Sequence, residues 1–128
     1  MYLPPHIVYT WGTITHKGAT LYKQAQPYQQ PIGNISSIAC GWSHAVAVDS
    51  YGDVFVMGSN EAGQLGLQGE LHSKQFKRLQ HAYLGPARTV FCVNDATFLV
   101  NRDEEVLFCG RISHNRKSVS MQVSPSKS

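Results

Sequence analysis

Hydrophobic positions in this chain fall in short runs, each bounded by polar residues and glycine. Three runs close on glycine: Val8-Tyr9-Thr10-Trp11-Gly12, Val54-Phe55-Val56-Met57-Gly58 and Val106-Leu107-Phe108-Cys109-Gly110. They open 46 and then 52 residues apart. Two more runs of strand length, Ala45-Val46-Ala47-Val48 and Thr97-Phe98-Leu99-Val100, precede the second and third. Between each pair lies a polar turn, Asp49-Ser50-Tyr51-Gly52-Asp53 or Asn101-Arg102-Asp103-Glu104-Glu105. Runs this short, rich in β-branched and aromatic residues, predict strands, and the turns predict hairpins. Gly52 supplies the positive φ of a tight turn. Glu104 stands in its slot and Val93 in that of Gly41, so the second copy is expected to turn with different chemistry or less tightly.

The second interval is an internal repeat. A shift of 52 pairs Ile38 with Val90, Cys40 with Cys92, Val46 with Phe98, Val48 with Val100, Val54 with Val106 and Gly58 with Gly110. The connecting segments are less periodic. Residues 13–34, with Gly18, Pro27, Pro31 and Gly33, read as loop with one strand near Thr20-Leu21-Tyr22. Residues 67–88 read as loop or a short helical turn over Leu71 to Leu79, ended by Gly85-Pro86. Residues 111–128, rich in Ser, Lys and Arg, read as a polar basic tail, flexible beyond the last strand. A β repeat of about 50 residues predicts a propeller blade.

The stretch from Ile38 to Gly66 resembles the repeat of the regulator of chromosome condensation family. It joins Ala39-Cys40-Gly41 and His44 (ACGxxH), the hairpin Gly52, and Gly58 with Asn60-Glu61-Ala62-Gly63-Gln64-Leu65-Gly66 (NxxGQLG) in the family's order and spacing. Val8 to Gly12 resembles the last strand of a preceding repeat. Residues 36–66 form the best repeat and residues 89–110 a degenerate one, all within a repeat region spanning 1–110. The neighbours have lost the signature: Thr13-Ile14-Thr15-His16 follows Gly12, Arg111-Ile112-Ser113-His114 follows Gly110, and Ala96 replaces His44. The resemblance implies an all-β partial propeller, about two antiparallel blades plus a strand of a preceding blade. Family members serve mainly as interaction platforms. The founding member is a nucleotide exchange factor for the small GTPase Ran and binds chromatin.

Composition narrows the function further. The chain has 128 residues and a formal charge of +3, with 15% charged residues. That suits one modest domain, too apolar for general disorder. Residues 1–73 sum to −2 and residues 74–128 to +5, which offers a basic edge to an acidic partner through Lys74, Lys77, Arg78, Arg116 and Lys117. Few aromatics interleave with these cations, which argues against a single-strand nucleic-acid platform. No apolar stretch reaches the length of a membrane span, and the start lacks a signal's basic and apolar regions. Three cysteines, Cys40, Cys92 and Cys109, make no disulfide framework and read as small buried hydrophobes of an intracellular protein, cytoplasmic or nuclear.

The candidate chemistry is structural. His44 beside Cys40 and Ser43 lacks a cysteine-protease signature, and in the family this histidine is a hydrogen-bonding residue within the blade. Gly58 to Gly63 begins like a phosphate-binding loop, but Gln64 and Leu65 replace the lysine and hydroxyl that such a loop needs. The histidines and cysteines include no C-x-x-C and no H-x₃-H spacing, so neither metal nor cofactor is implied. The structural motif residues are Cys40, Gly41, His44, Gly52, Gly58, Asn60, Gly63, Gln64, Leu65 and Gly66. The expectation is a non-enzymatic interaction module whose propeller is completed by a protein partner or by self-association. Exchange on or docking to a Ran-like small GTPase is the first alternative, and chromatin or nucleic-acid binding through the basic half is the second.

Overall fold

The computed structural model describes residues 7–16, 18–80, 85–113 and 117–123. Among them are ten strands and no helix. β1 (Ile7–His16) and β2 (Ala19–Gly33) form a two-stranded first sheet. β3 (Ile35–Cys40), β4 (His44–Asp49), β5 (Val54–Ser59) and β6 (His72–Leu79) form a second sheet. β7 (Ala87–Val93), β8 (Asp95–Asn101), β9 (Val106–Arg111) and β10 (Val119–Val123) form a third. Every pairing is antiparallel and each four-stranded sheet runs in chain order. This is a partial β-propeller of two four-stranded blades and the two-stranded remnant of a preceding one.

Strand alternation sends successive residues of the second sheet to opposite sides. Val46, Val48, Val54 and Val56 face the third sheet, where they meet Val90, Leu99, Leu107 and Cys109. Ala47, Met57 and Phe76 face the first sheet and pack with Val8, Ile14 and Ile32. The second sheet is thus buried on both faces, which is why β4 and β5 read as near-continuous apolar runs. Burying each valine contributes about 1.5–3 kcal/mol.

The equivalent turns are the same turn. Asp49 Oδ1 accepts the amides of Tyr51 and Asp53 at 3.0 and 2.9 Å. Asn101 Oδ1 accepts those of Asp103 and Glu105 at the same distances. Gly52 has φ 89° and Glu104 φ 66°. The turn after β8 is therefore neither looser nor differently made. Asn101 supplies the side-chain acceptor, and Glu104 accepts the left-handed conformation without glycine.

Three connections differ from the sequence reading. β2 is one strand of 15 residues, not a loop with a short strand. It is an edge strand of a two-stranded sheet and mostly exposed, so it needs no apolar alternation and tolerates Pro27 and Pro31. The Leu71–Leu79 region is the strand β6, not a helical turn. Phe76 and Leu79, three apart, lie on opposite faces in the two separate core clusters, whereas a helix would put them on one side. Beyond Arg111, the polar segment supplies β10, anchored by the buried Met121.

Residues 52 apart touch directly. The hydroxyls of Ser37 and Thr89 are 3.1 Å apart, the Trp42 amide donates to Asn94 O at 3.0 Å, and Arg102 donates to Ser50 O at 3.2 Å. Equivalent atoms of two rotated copies approach each other only near the rotation axis. β3 and β7 are therefore the inner strands, and β6 and β10 form the outer rim.

Candidate functional site

The polar motif residues converge on the seam between the second and third sheets. His44 opens β4 and points across the seam, its Nε2 2.9 Å from the Thr97 hydroxyl on β8. That hydroxyl donates to the Gln64 carbonyl at 2.6 Å. Having spent its proton on Gln64, the Thr97 oxygen accepts from His44 Nε2–H. The neutral ring thus carries its proton on Nε2, and Nδ1 is buried with no hydrogen-bond partner among the described residues. Burial lowers the His44 pKa to about 4, against the opposing pull of Asp95 and a backbone contact with Ala96. This imidazole is a neutral strut, outside the range useful for a general base at neutral pH.

Glycine is required where this seam is tightest. A Cβ on Gly41 would collide with the His44 ring and with Asn94 O. A Cβ on Gly58, at φ 110°, would collide with Ser43 O, and one on its counterpart Gly110 with Asp95 O. Both glycines end apolar runs because each strand bends there against the start of its neighbour.

The loop after β5 is self-contained. Asn60 Nδ2 donates to the Leu67 and Glu70 carbonyls, both at 2.7 Å, and Asn60 Oδ1 accepts the Leu65 amide at 2.9 Å. Gln64 Oε1 accepts the Ala62 amide at 2.8 Å. Gly63 and Gly66 take positive φ, and Leu65 is driven into the core. The backbone amides that a phosphate cradle would use are spent within the protein: those of Asn60, Glu61, Ala62, Gly63, Leu65 and Gly66 all donate to its own oxygens.

The cysteines divide. Cys109 is buried and Cys92 half-buried, and burial pushes both thiols up to about 12. Cys40 is exposed, contrary to the sequence reading, because β3 lacks on its far side the cover that β7 receives from the second sheet; burial still raises its pKa somewhat. No group of three metal-ligating side chains gathers among the described residues.

The basic residues stay apart from the seam. Lys74, Lys77 and Arg78 project from β6, where Lys77 pairs with Glu70, and Arg78 with Asp53 at 3.0 Å. Lys117 is exposed ahead of β10, and Arg116 lies outside the described residues. Sequence reasoning missed Thr97, the bridge of the seam. At the 52-residue shift its counterpart is Ala45, which has no hydroxyl, so no pattern in the repeat marks the position.

Residues 35–64 match the model of the regulator of chromosome condensation (RCC1) repeat. Residues 35–64 form an RCC1 repeat. The chain is 30% identical over 111 residues to the mouse secretion-regulating guanine nucleotide exchange factor, covering 81% of this chain and 24% of that protein. It is 32% identical over 84 residues to the Xenopus laevis serine/threonine-protein kinase Nek9, covering 64% of this chain and 9% of the kinase. The fold matches Prp20p of Saccharomyces cerevisiae at a TM-score of 0.76 and 19% identity, over 94% of this chain and 33% of that one. Human WBSCR16 matches at 0.71 and 20%, over 94% and 34%. The chain therefore spans about a quarter of the exchange factor and a third of each solved RCC1-like chain. No helix among the described residues is long and apolar enough to cross a membrane.

Proposed function

We propose that the chain is a non-enzymatic protein-interaction module, an arc of an RCC1-type propeller that presents its rim and loops to a partner. The observation that carries this reading is the fate of the signature's polar groups. His44, Asn60 and Gln64 are bonded within the seam and its loop, so these three side chains hold blades together. In this reading Cys40, Gly41, His44, Gly52, Gly58, Asn60, Gly63, Gln64, Leu65 and Gly66 serve the fold. Partner contact falls to the outer rim, where Lys74, Lys77, Arg78 and Lys117 favour an acidic protein surface, with Arg116 next to Lys117 in sequence. Glu70 and Asp53 share the charge of Lys77 and Arg78, which leaves Lys74 and Lys117 the larger part.

A second reading, exchange or docking on a Ran-like small GTPase, is supported by the exchange factor above and by the Prp20p structure, which was described with that protein's binding to Gsp1p and histones. A panel of small GTPases, assayed for binding and for nucleotide release, separates the two. Stoichiometric binding without faster release, weakened by the pair Lys74→Glu and Lys117→Glu, supports the module. Accelerated release at catalytic amounts supports exchange. Failure to bind any member removes the GTPase as partner. Chromatin or nucleic-acid binding draws less support, since Lys77, Arg78 and Arg88 each already pair with a carboxylate.

A further inference from the structure

The stack of sheets has a direction, and both of its ends are aromatic. At the inner seam, Val46, Val48, Val54 and Val56 of the second sheet are fully buried against the third. The 52-residue offset carries them onto Phe98, Val100, Val106 and Phe108, on the far face of the third sheet, and these are only half-buried. Phe91 is opposite Phe98, and Phe98 opposite Phe108, so the three form one row across β7, β8 and β9. The Phe98 and Phe108 ring centroids are 4.9 Å apart, and Phe91 is 56% exposed. At the other end, Phe55 and Met57 look back from the second sheet toward the first. The 46-residue offset carries them onto Tyr9 and Trp11, which are 50% and 65% exposed.

We infer that the Phe91–Phe98–Phe108 face of one copy docks on the Tyr9–Trp11 face of a second copy, head to tail. The internal repeat is the template: in this chain, the sheet that covers such an outgoing face is the next sheet's incoming face, so the contact continues an interface already built. Contiguous exposed apolar surface marks association sites. A heterologous contact closes into a ring when its rotation closes. The contact is not a replica of the inner seam. Ala96 replaces His44, and Arg111-Ile112-Ser113 follows Gly110 where the GQLG loop would be, so the polar bridge is absent and aromatic packing takes its place.

This inference rests on the propeller-arc reading proposed above. Sedimentation of the full chain over a range of concentrations tests it, with Phe91→Glu and Trp11→Glu as exposed-site variants whose unchanged melting temperatures show that folding survives. The expected result is a wild-type species heavier than the 14.2 kDa monomer, monomers for each variant alone, and a 1:1 heterodimer that grows no further when the two are mixed. A wild-type monomer at every concentration overturns the inference; if its melt is cooperative, the propeller-arc reading stands without it. A dimer abolished by one variant and untouched by the other also overturns it, since only a contact between two different faces needs both.

Discussion

His44 converts burial into a pH dependence. The unfolded imidazole titrates near its ordinary 6.5 and the folded one near 4, so between these values the unfolded chain binds the additional proton. Stability therefore rises with pH across that window, is complete above about 6.5, and is lost as pH falls toward 4. The melting temperature of the wild type is expected to drop from pH 7 to pH 4.5, and His44→Gln to flatten that slope while lowering stability at pH 7 by about 1–3 kcal/mol. Gly58→Ala is expected to cost about 2 kcal/mol or more, because the new Cβ meets Ser43 O in a backbone conformation that side chains avoid. Glu104 is the opposite case. Replacing it with glycine relieves the left-handed strain at φ 66° and loses an exposed pair with Arg88, worth at most about 1 kcal/mol. A higher or unchanged melting temperature in Glu104→Gly checks that balance. His44 was legible in the sequence as a residue of the motif, whereas its partner Thr97 was not, since the bridge joins residues of two repeats that differ at those positions.

Strands packed against a neighbouring sheet were readable and rim strands were not. β4, β5, β8 and β9 carry dense apolar runs because sheets or core lie against them. β2 and β6 lie at the edges of their sheets and carry few apolar side chains, so no period of two shows in their sequences. β6 is tied inward by Phe76 toward the first sheet and by Leu79 toward the third. Phe76→Ala is expected to cost about 3–5 kcal/mol and to loosen the first sheet. Gln30 gives an independent gauge, because its side chain links Thr10 to the Phe76 amide. Hydrogen exchange in Phe76→Ala should therefore quicken at β1 and β2 before it quickens at β8. Thiol labelling of the folded chain should modify Cys40 first, with Cys92 and Cys109 following only on unfolding.

At the scale of the whole molecule, the protein is a directional stack: a two-stranded sheet, a sheet buried on both faces, and a third sheet with one face half-covered. The seam between the last two uses valines for area and the His44–Thr97–Gln64 bridge for register. Its sense is what makes the two ends unlike.

The sequence by itself determined the strands that recur and, at Gly58 and Gly110, the glycines that end them, because packing against a neighbouring sheet and a bend against a neighbouring carbonyl leave few residue types possible. It also determined the repeat family through the residues from Ile38 to Gly66. Only the tertiary structure decided which faces of the sheets meet, which hydroxyl His44 reaches, and that Cys40 and Trp11 stand exposed. Those outcomes depend on which sheet lies next to which, and a period along one strand carries no information about its neighbour across a seam.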